Sequence, residues 1–327
     1  MTTIKAIRIE KTGGPEAMTL REVELGAPKP GEITVRAKAI GVNFIDTYHR
    51  SGLYPLPLPS GIGMEASGIV EAVGEGVTQF KPGDSAAYAS GPAGAYAEAN
   101  NVAAASAVKL PDGFAHEQAA AMMLKGLTAQ FLLRQTFRVE KGQTILWHAA
   151  AGGVGLIACQ WAKHLGATVI GTASSGEKAA LARAHGCDHV IDYTREDVAE
   201  RVLEITGGRK LPVVYDGVGK STFISSLDCL APLGLLVSFG NASGPVTDVN
   251  LGILAQKGSL YVTRPTMYHY AAKSPAALQE MADDLFAVVK SGAVKIEVKQ
   301  RYSLAEAARA HIDLEARKTV GASVLVP

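Results

Sequence analysis

Across roughly the first 110 residues, apolar and polar positions alternate in short runs such as Ile33-Thr34-Val35-Arg36-Ala37-Lys38-Ala39. The runs are punctuated by Pro28-Lys29-Pro30-Gly31 and Lys81-Pro82-Gly83-Asp84. A period of two with Gly/Pro breaks predicts an antiparallel β region. From about Glu117 the spacing becomes helical, and an Ala/Met/Leu-rich segment through Leu133 reads as a connector between two domains. Apolar runs then alternate with amphipathic helices: Thr144–Ala149, Thr168–Thr172, His189–Ile191, Pro212–Asp216, Gly234–Phe239 and Ser259–Thr263 read as strands. Six such strands with crossover helices predict a doubly wound parallel sheet. After the third strand, Thr194 and Asp197 form a capping-type pair. Val198, Val202 and Ile205 then recur at helical spacing before Gly207-Gly208 stops the helix. Helix signals return around Pro275–Ser291 and Leu304–Arg317, followed by a terminal apolar run, Ala322–Val326, expected to rejoin the first domain. The expected fold class is α/β, with 1–124 and 267–327 forming one domain and 125–266 the nucleotide-type domain.

Composition adds exclusions. At 327 residues and 47% hydrophobic content, the chain can fill two cores. Lys+Arg total 32 against Asp+Glu 31, and no block of like charges forms a patch, so nucleic acid and anionic membrane are not expected partners. No apolar stretch approaches the roughly 18 residues of a membrane span. The opening MTTIKAIRIEKTGG has no signal-peptide pattern and reads as mature cytoplasmic protein. Cys159, Cys187 and Cys229 are widely spaced and suggest neither a disulfide framework nor a structural zinc site, so a reducing compartment is expected.

Candidate chemistry centres on a glycine turn. The strand at Thr144–Ala149 runs into Ala150-Ala151-Gly152-Gly153-Val154-Gly155 and then into a helix from Leu156. This order suits a dinucleotide pyrophosphate: small residues allow close approach, and a helix N-terminus offers free N–H groups and a positive dipole end. Gly152 and Gly155 occupy the positions that need glycine, while the first glycine of the usual fingerprint is Ala150 here. An NAD-specific fold places a carboxylate at the end of the second strand. Here Val169-Ile170-Gly171-Thr172-Ala173 ends without one and is followed by Ser174-Ser175-Gly176-Glu177-Lys178. Hydroxyls, a helix start and Lys178 suit a 2′-phosphate, so NADPH is the expected cofactor. Glu177 is assigned to a capping box with Ser174, and Tyr193 could meet the adenosine end.

The segments Ala39-Ile40-Gly41-Val42-Asn43-Phe44-Ile45-Asp46-Thr47-Tyr48, Ser51-Gly52-Leu53-Tyr54-Pro55, Lys125-Gly126-Leu127-Thr128-Ala129, His148–Gly155 and Val237-Ser238-Phe239-Gly240-Asn241 resemble the bacterial NADPH:quinone oxidoreductases, relatives of zeta-crystallin in the zinc-free medium-chain dehydrogenase/reductase group. The resemblance spans essentially the whole chain. It implies a GroES-like β-barrel catalytic domain around an inserted Rossmann domain, a cofactor in the cleft between them, and a homodimer. It also implies that Asn43 and Asp46 lie on the catalytic side of the cofactor. Thr128, Phe239 and Asn241, with Ser238 in the same segment, lie near the nicotinamide, and Ser175, Lys178, Tyr193 and Arg317 near the 2′-phosphate and adenosine. Ala150 and His49 stand where relatives vary, and His49 reads as a packing residue.

Zinc-using alcohol dehydrogenases of the superfamily carry a cysteine at Asn43 and a histidine at Met64. Glu65 alone cannot make a site that needs about three protein ligands, and residues 85–110 contain no cysteine. No metal is expected, and Cys159 and Cys229 read as core residues on apolar helices. A quinone spreads the incoming charge over two oxygens, so neutral donors suffice. Tyr48 and Tyr54 are candidates, with packing in the β domain as their alternative role. Two further functions stay open: NADPH-dependent reduction of an activated alkene such as an enone, and non-catalytic cofactor binding of the zeta-crystallin kind.

Overall fold

In the computed structural model, which describes residues 1–174, 176–274 and 276–327, the alternating segment around Ile33 lies within an 11-residue strand, Glu32–Val42. The chain divides into two compact units. Met1–Lys125, Ser274–Phe286 and Ile296–Pro327 form the first, and Gly126–Lys273 with Ala287–Lys295 form the second.

Glu32–Val42 organises the first unit. It pairs antiparallel with Glu65–Val73, with Ala99–Ala103 and with the terminal strand Ala322–Val326, which in turn lies parallel to Val298–Ser303. Register shifts at Thr34/Val35 and Ala37/Ala39 bend the strand, as bulges do. A second, three-stranded sheet orders Met18–Leu25, Thr2–Ile9 and Ser60–Gly61. Ile7 and Ile9 from this sheet share one core with Ile33, Val35, Ile40 and Leu325 from the larger one. This is the GroES-like half of the molecule.

All six strands expected in the second unit are present. The sheet runs in the order His189–Asp192, Thr168–Ala173, Thr144–Trp147, Leu211–Asp216, Leu230–Ser238, Tyr261–Thr263, with every pairing parallel. This 3-2-1-4-5-6 order is that of a Rossmann sheet, whose ligand crevice opens at the strand C-termini where the order reverses, here between Thr144–Trp147 and Leu211–Asp216. Leu146, Ile170, Val214 and Leu236 are fully buried along the sheet, and Leu156–Ala162 bury most of the helix Gly153–His164 against it.

Helix starts differ from the sequence reading in two places. Asp197, not Thr194, caps the helix Val198–Thr206, because its carboxylate reaches the Glu200 N–H at 2.9 Å while Thr194 donates to Asp192. The next helix begins at Gly176, which puts Ser174 one position too early for a capping box with Glu177. Ser175, the residue before that helix, lies outside the described residues. The three cysteines are buried and free, as core residues are, with Cys229 just past the end of helix Phe223–Asp228 rather than inside it.

Candidate active site

The glycine turn is tight because backbone meets backbone. Ala149 adopts the left-handed conformation (φ 53°), Gly152 N–H donates to its carbonyl at 2.9 Å, and the helix Gly153–His164 starts at a Gly152 cap that carries no side chain. A Cβ at Gly155 would lie 2.6 Å from both the Ala149 and Ala150 carbonyl oxygens; at Gly152 it would meet only the former, at 3.1 Å. Gly155 therefore sets the helix against the turn, and Gly152 leaves its outer face open. The first fingerprint position tolerates Ala150 because Gly171, on the neighbouring strand, has no side chain to oppose its methyl.

Behind the turn, sequence reasoning missed a buried polar network. His148 lies 3.2 Å from Thr172 Oγ1 and 3.0 Å from Ser226 Oγ, and Ser226 donates to Asp216. Burial holds the His148 pKa below the ordinary imidazole range. The other oxygen of Asp216 accepts the Val218 and Gly219 N–H groups, which fixes the loop after the fourth strand. That loop supports Phe239, whose N–H donates to the Asp216 carbonyl and whose ring lies 5.4 Å from Trp147. Arg264, also missed, donates to Ser238 Oγ and to the Gly240 carbonyl, so it braces the expected Ser238–Asn241 segment. The run Asp216-Gly217-Val218-Gly219, directly after an apolar strand, was the available signal.

At the end of the second strand, Tyr193 N–H donates to the Ala173 carbonyl and its side chain is 42% exposed. Lys178 is half-buried and Glu177 exposed on the first turn of helix Gly176–Ala184. Among the described residues, the second strand itself ends at Ala173 without a carboxylate, and Asp192 of the third strand lies opposite Ala173 in register. Thr128 is half-buried in helix His116–Phe131. Arg317 is exposed in the first unit, with φ 57°.

In the first unit, Asn43 caps the helix Phe44–Ser51. Its N–H donates to Asp46 Oδ2 at 2.8 Å, and its side-chain amide donates to Glu65 at 2.8 Å. Glu65 also accepts the Leu124 N–H at 2.7 Å and the Lys125 ammonium at 3.4 Å, and Glu65 and Lys125 are both buried. Gly41 is required beside it, since a Cβ there would collide with the Glu65 carboxylate and the Ala120 carbonyl. Burial raises the Asp46 pKa to about 7, although the Asn43 N–H, the Tyr96 hydroxyl and Lys125 all pull it down. Tyr48 and Tyr54 are half-buried neighbours, rings 5.2 Å apart and edge to face, joined by the Tyr54 N–H to the Tyr48 carbonyl. His49 is buried against Tyr54 at 6.1 Å, and burial lowers its pKa.

A catalytic zinc ion does not fit these residues. Asn43 and Met64 offer an amide and a thioether, and both oxygens of Glu65 are engaged by three donors, one of them cationic. Among the described residues, no group of three His, Cys, Asp or Glu side chains is placed to hold a metal. A dinucleotide, in contrast, fits the uncapped helix start and small-residue turn at Gly152–Gly155.

Comparison with known proteins agrees with both halves. Residues 29–112 match the alcohol dehydrogenase GroES-like domain and residues 153–286 the zinc-binding dehydrogenase family. The chain is 62% identical to a quinone oxidoreductase of Pseudomonas aeruginosa over 99% of both chains. It is 45% identical to a 2-haloacrylate reductase of a Burkholderia species, again over 99% of both. The crystal structure of the Escherichia coli quinone oxidoreductase complexed with NADPH superposes with a TM-score of 0.97 at 53% identity, covering 99% of this chain and 100% of that one. With a GroES-like half, a Rossmann half and full-length likeness of this degree, the chain belongs to the quinone oxidoreductase family of medium-chain dehydrogenases/reductases.

Proposed function

We propose that this protein reduces quinones with NADPH and without a metal ion. NADPH supplies the hydride; with one proton from the medium, the quinone becomes the hydroquinone. The observation that carries the cofactor assignment is the pairing of the Gly152–Gly155 helix start with a second strand that ends at Ala173 without a carboxylate. The backbone N–H groups of Gly153, Val154 and Gly155 hold the pyrophosphate, with Gly152 allowing the approach. Lys178, Tyr193 and Arg317, with Ser175, take the adenosine 2′-phosphate end, where a lysine attracts the charge that a carboxylate would repel. Asn43, Asp46, Thr128, Ser238, Phe239 and Asn241 hold the nicotinamide half. Tyr48 and Tyr54 act as neutral donors to the quinone oxygens, and Asn43 is the third residue assigned to the chemistry.

The protein works as a cytoplasmic homodimer in this reading. Among the described residues, no helix is long and apolar enough to cross a membrane. The edge strand Tyr261–Thr263 leaves Tyr261 59% and Val262 40% exposed, an edge that a second copy would cover. The 2-haloacrylate reductase relative supports a second reading, reduction of an activated alkene. Both readings are tested by following NADPH oxidation by absorbance with 1,4-benzoquinone and, separately, with an enone and 2-chloroacrylate. Turnover of the quinone at the higher kcat/KM supports the first reading. Activity confined to the alkenes overturns it, and NADPH binding without any turnover favours the non-catalytic role.

A further inference from the structure

Behind the helix Phe44–Ser51 runs a buried row of polar side chains that the proposed reaction does not yet use. Arg50, in the last turn of that helix, places Nη1 3.1 Å from His311 Nδ1. His311 Nε2 lies 3.0 Å from Tyr96 Oη, which lies 2.9 Å from Asp46 Oδ2. Asp46, Tyr96 and His311 are completely buried, and Arg50 is 2% exposed.

Chemistry fixes the direction of this row. A guanidinium has only donors, so His311 Nδ1 accepts. Burial and the Arg50 charge push the His311 pKa down to about 3, so the ring is neutral and its single proton sits on Nε2, pointing at Tyr96. Burial and the Asp46 charge hold the Tyr96 pKa well above its ordinary value, so the phenol keeps its hydrogen and gives it to Asp46. The outer end is anchored, because Arg50 also holds Glu315 through two bonds of 3.0 and 2.8 Å and the Gly13 carbonyl at 3.1 Å. The inner end converges on one oxygen: Asp46 Oδ2 accepts from both Tyr96 and the Asn43 N–H, while Oδ1 is buried with no hydrogen-bond partner among the described residues. Glu65 opposes the charge on Asp46 and Lys125 favours it.

We propose that Tyr96 and His311 are positioning residues for the reaction: the one-way row Arg50→His311→Tyr96 aims a hydrogen bond at Asp46, and Asp46 in turn locks Asn43 where it must act. The inference rests on the role given to Asn43 above. A row serving stability alone would leave the chemistry of Asp46 out of the kinetics, and the two differ in what they do to a pH profile.

The test uses the full chain with Tyr96→Phe, His311→Leu and His311→Gln, each checked by thermal melting. Quinone turnover is followed across the neutral pH range, NADPH affinity by fluorescence titration, and the His311 tautomer and Asp46 titration by ¹⁵N and ¹³C NMR. In Tyr96→Phe, kcat is expected to fall about tenfold with NADPH affinity within about twofold, since one charge-assisted hydrogen bond is lost away from the phosphate site. The midpoint of the Asp46-dependent limb is expected to move up by about one pH unit, because the carboxylate has lost a donor. His311→Leu should match Tyr96→Phe, whereas His311→Gln, which keeps an N–H facing Tyr96, should stay within about threefold of the parent. A folded Tyr96→Phe with unchanged kcat and midpoint overturns the proposal, as does a His311 proton on Nδ1. If Tyr96→Phe does not fold, the His311 pair decides by the same criteria. A parent protein that turns over neither quinone nor alkene would refute the proposed function instead. The NMR tautomer and the Asp46 shift between parent and variants would then still decide whether the row holds Asp46.

Discussion

Asp46 and His311 are displaced in opposite directions by the same burial, and the consequence for stability can be worked out with its sign. Asp46 rises from 3.8 to about 7 on folding, and His311 falls from 6.5 to about 3. Between pH 3.8 and 6.5 the unfolded chain has released the Asp46 proton while the folded chain keeps it, so on this account stability falls as pH rises. Over the same interval the unfolded His311 is protonated and the folded ring is neutral, so stability rises with pH. Each slope is about 1.4 kcal/mol per pH unit, and in the parent protein the two cancel. Asp46→Asn removes the first, so its stability relative to the parent should climb by about 4 kcal/mol in total from about pH 4 to 7. His311→Gln removes the second, and its stability relative to the parent should fall from about pH 3 to 6.5. The readout is hydrogen exchange of the buried amides in Glu32–Val42, because both tryptophans, Trp147 and Trp161, lie in the other unit. A stability difference from the parent that is independent of pH, or one with the same slope in both variants, refutes the reasoning.

Four further variants probe the two halves of the site. Gly155→Ala forces a methyl to within 2.6 Å of two carbonyl oxygens and should cost about 1–3 kcal/mol by calorimetry. Gly152→Ala, with a single contact at 3.1 Å, should melt near the parent and lose NADPH affinity; equal melting of the two variants would contradict the packing role of Gly155. Lys178→Glu should shift the NADPH/NADH ratio of kcat/KM toward NADH by about tenfold or more, and an unchanged ratio would show that this side chain does not face the phosphate. Glu65→Gln leaves the buried Lys125 ammonium without its anion and should destabilise the protein by about 3–5 kcal/mol in urea titrations.

Much of the fold was legible because its signals are local. The six Rossmann strands are short apolar runs bounded by turns, and the strand, glycine turn and helix at Thr144–His164 follow one another in sequence. Helix starts were less legible, since Thr194 and Asp197 both have capping chemistry and only the path of the chain decides which reaches a free N–H. The glycine turn of the candidate site could be read directly. Its supports could not: Tyr96 meets Asp46 across 50 residues, His311 meets Tyr96 across 215, and Arg50 meets His311 across 261. A lone His311 in an amphipathic helix looks like any other histidine until the fold brings Arg50 beside it. Arg264 escaped for the same reason, because its partners, Ser238 Oγ and the Gly240 carbonyl, lie 26 and 24 residues away.

The pairing of Ala322–Val326 with Glu32–Val42 has a consequence for biosynthesis. On the ribosome, the backbone groups of Ile40, Gly41 and Val42 must wait, with one side of their ladder open, while the entire parallel-sheet unit is translated. His311 arrives in the same late instalment. A nascent chain therefore passes through a stage in which its nucleotide half can already mature while its other half presents a raw β edge, the interval in which a holdase would have most to protect.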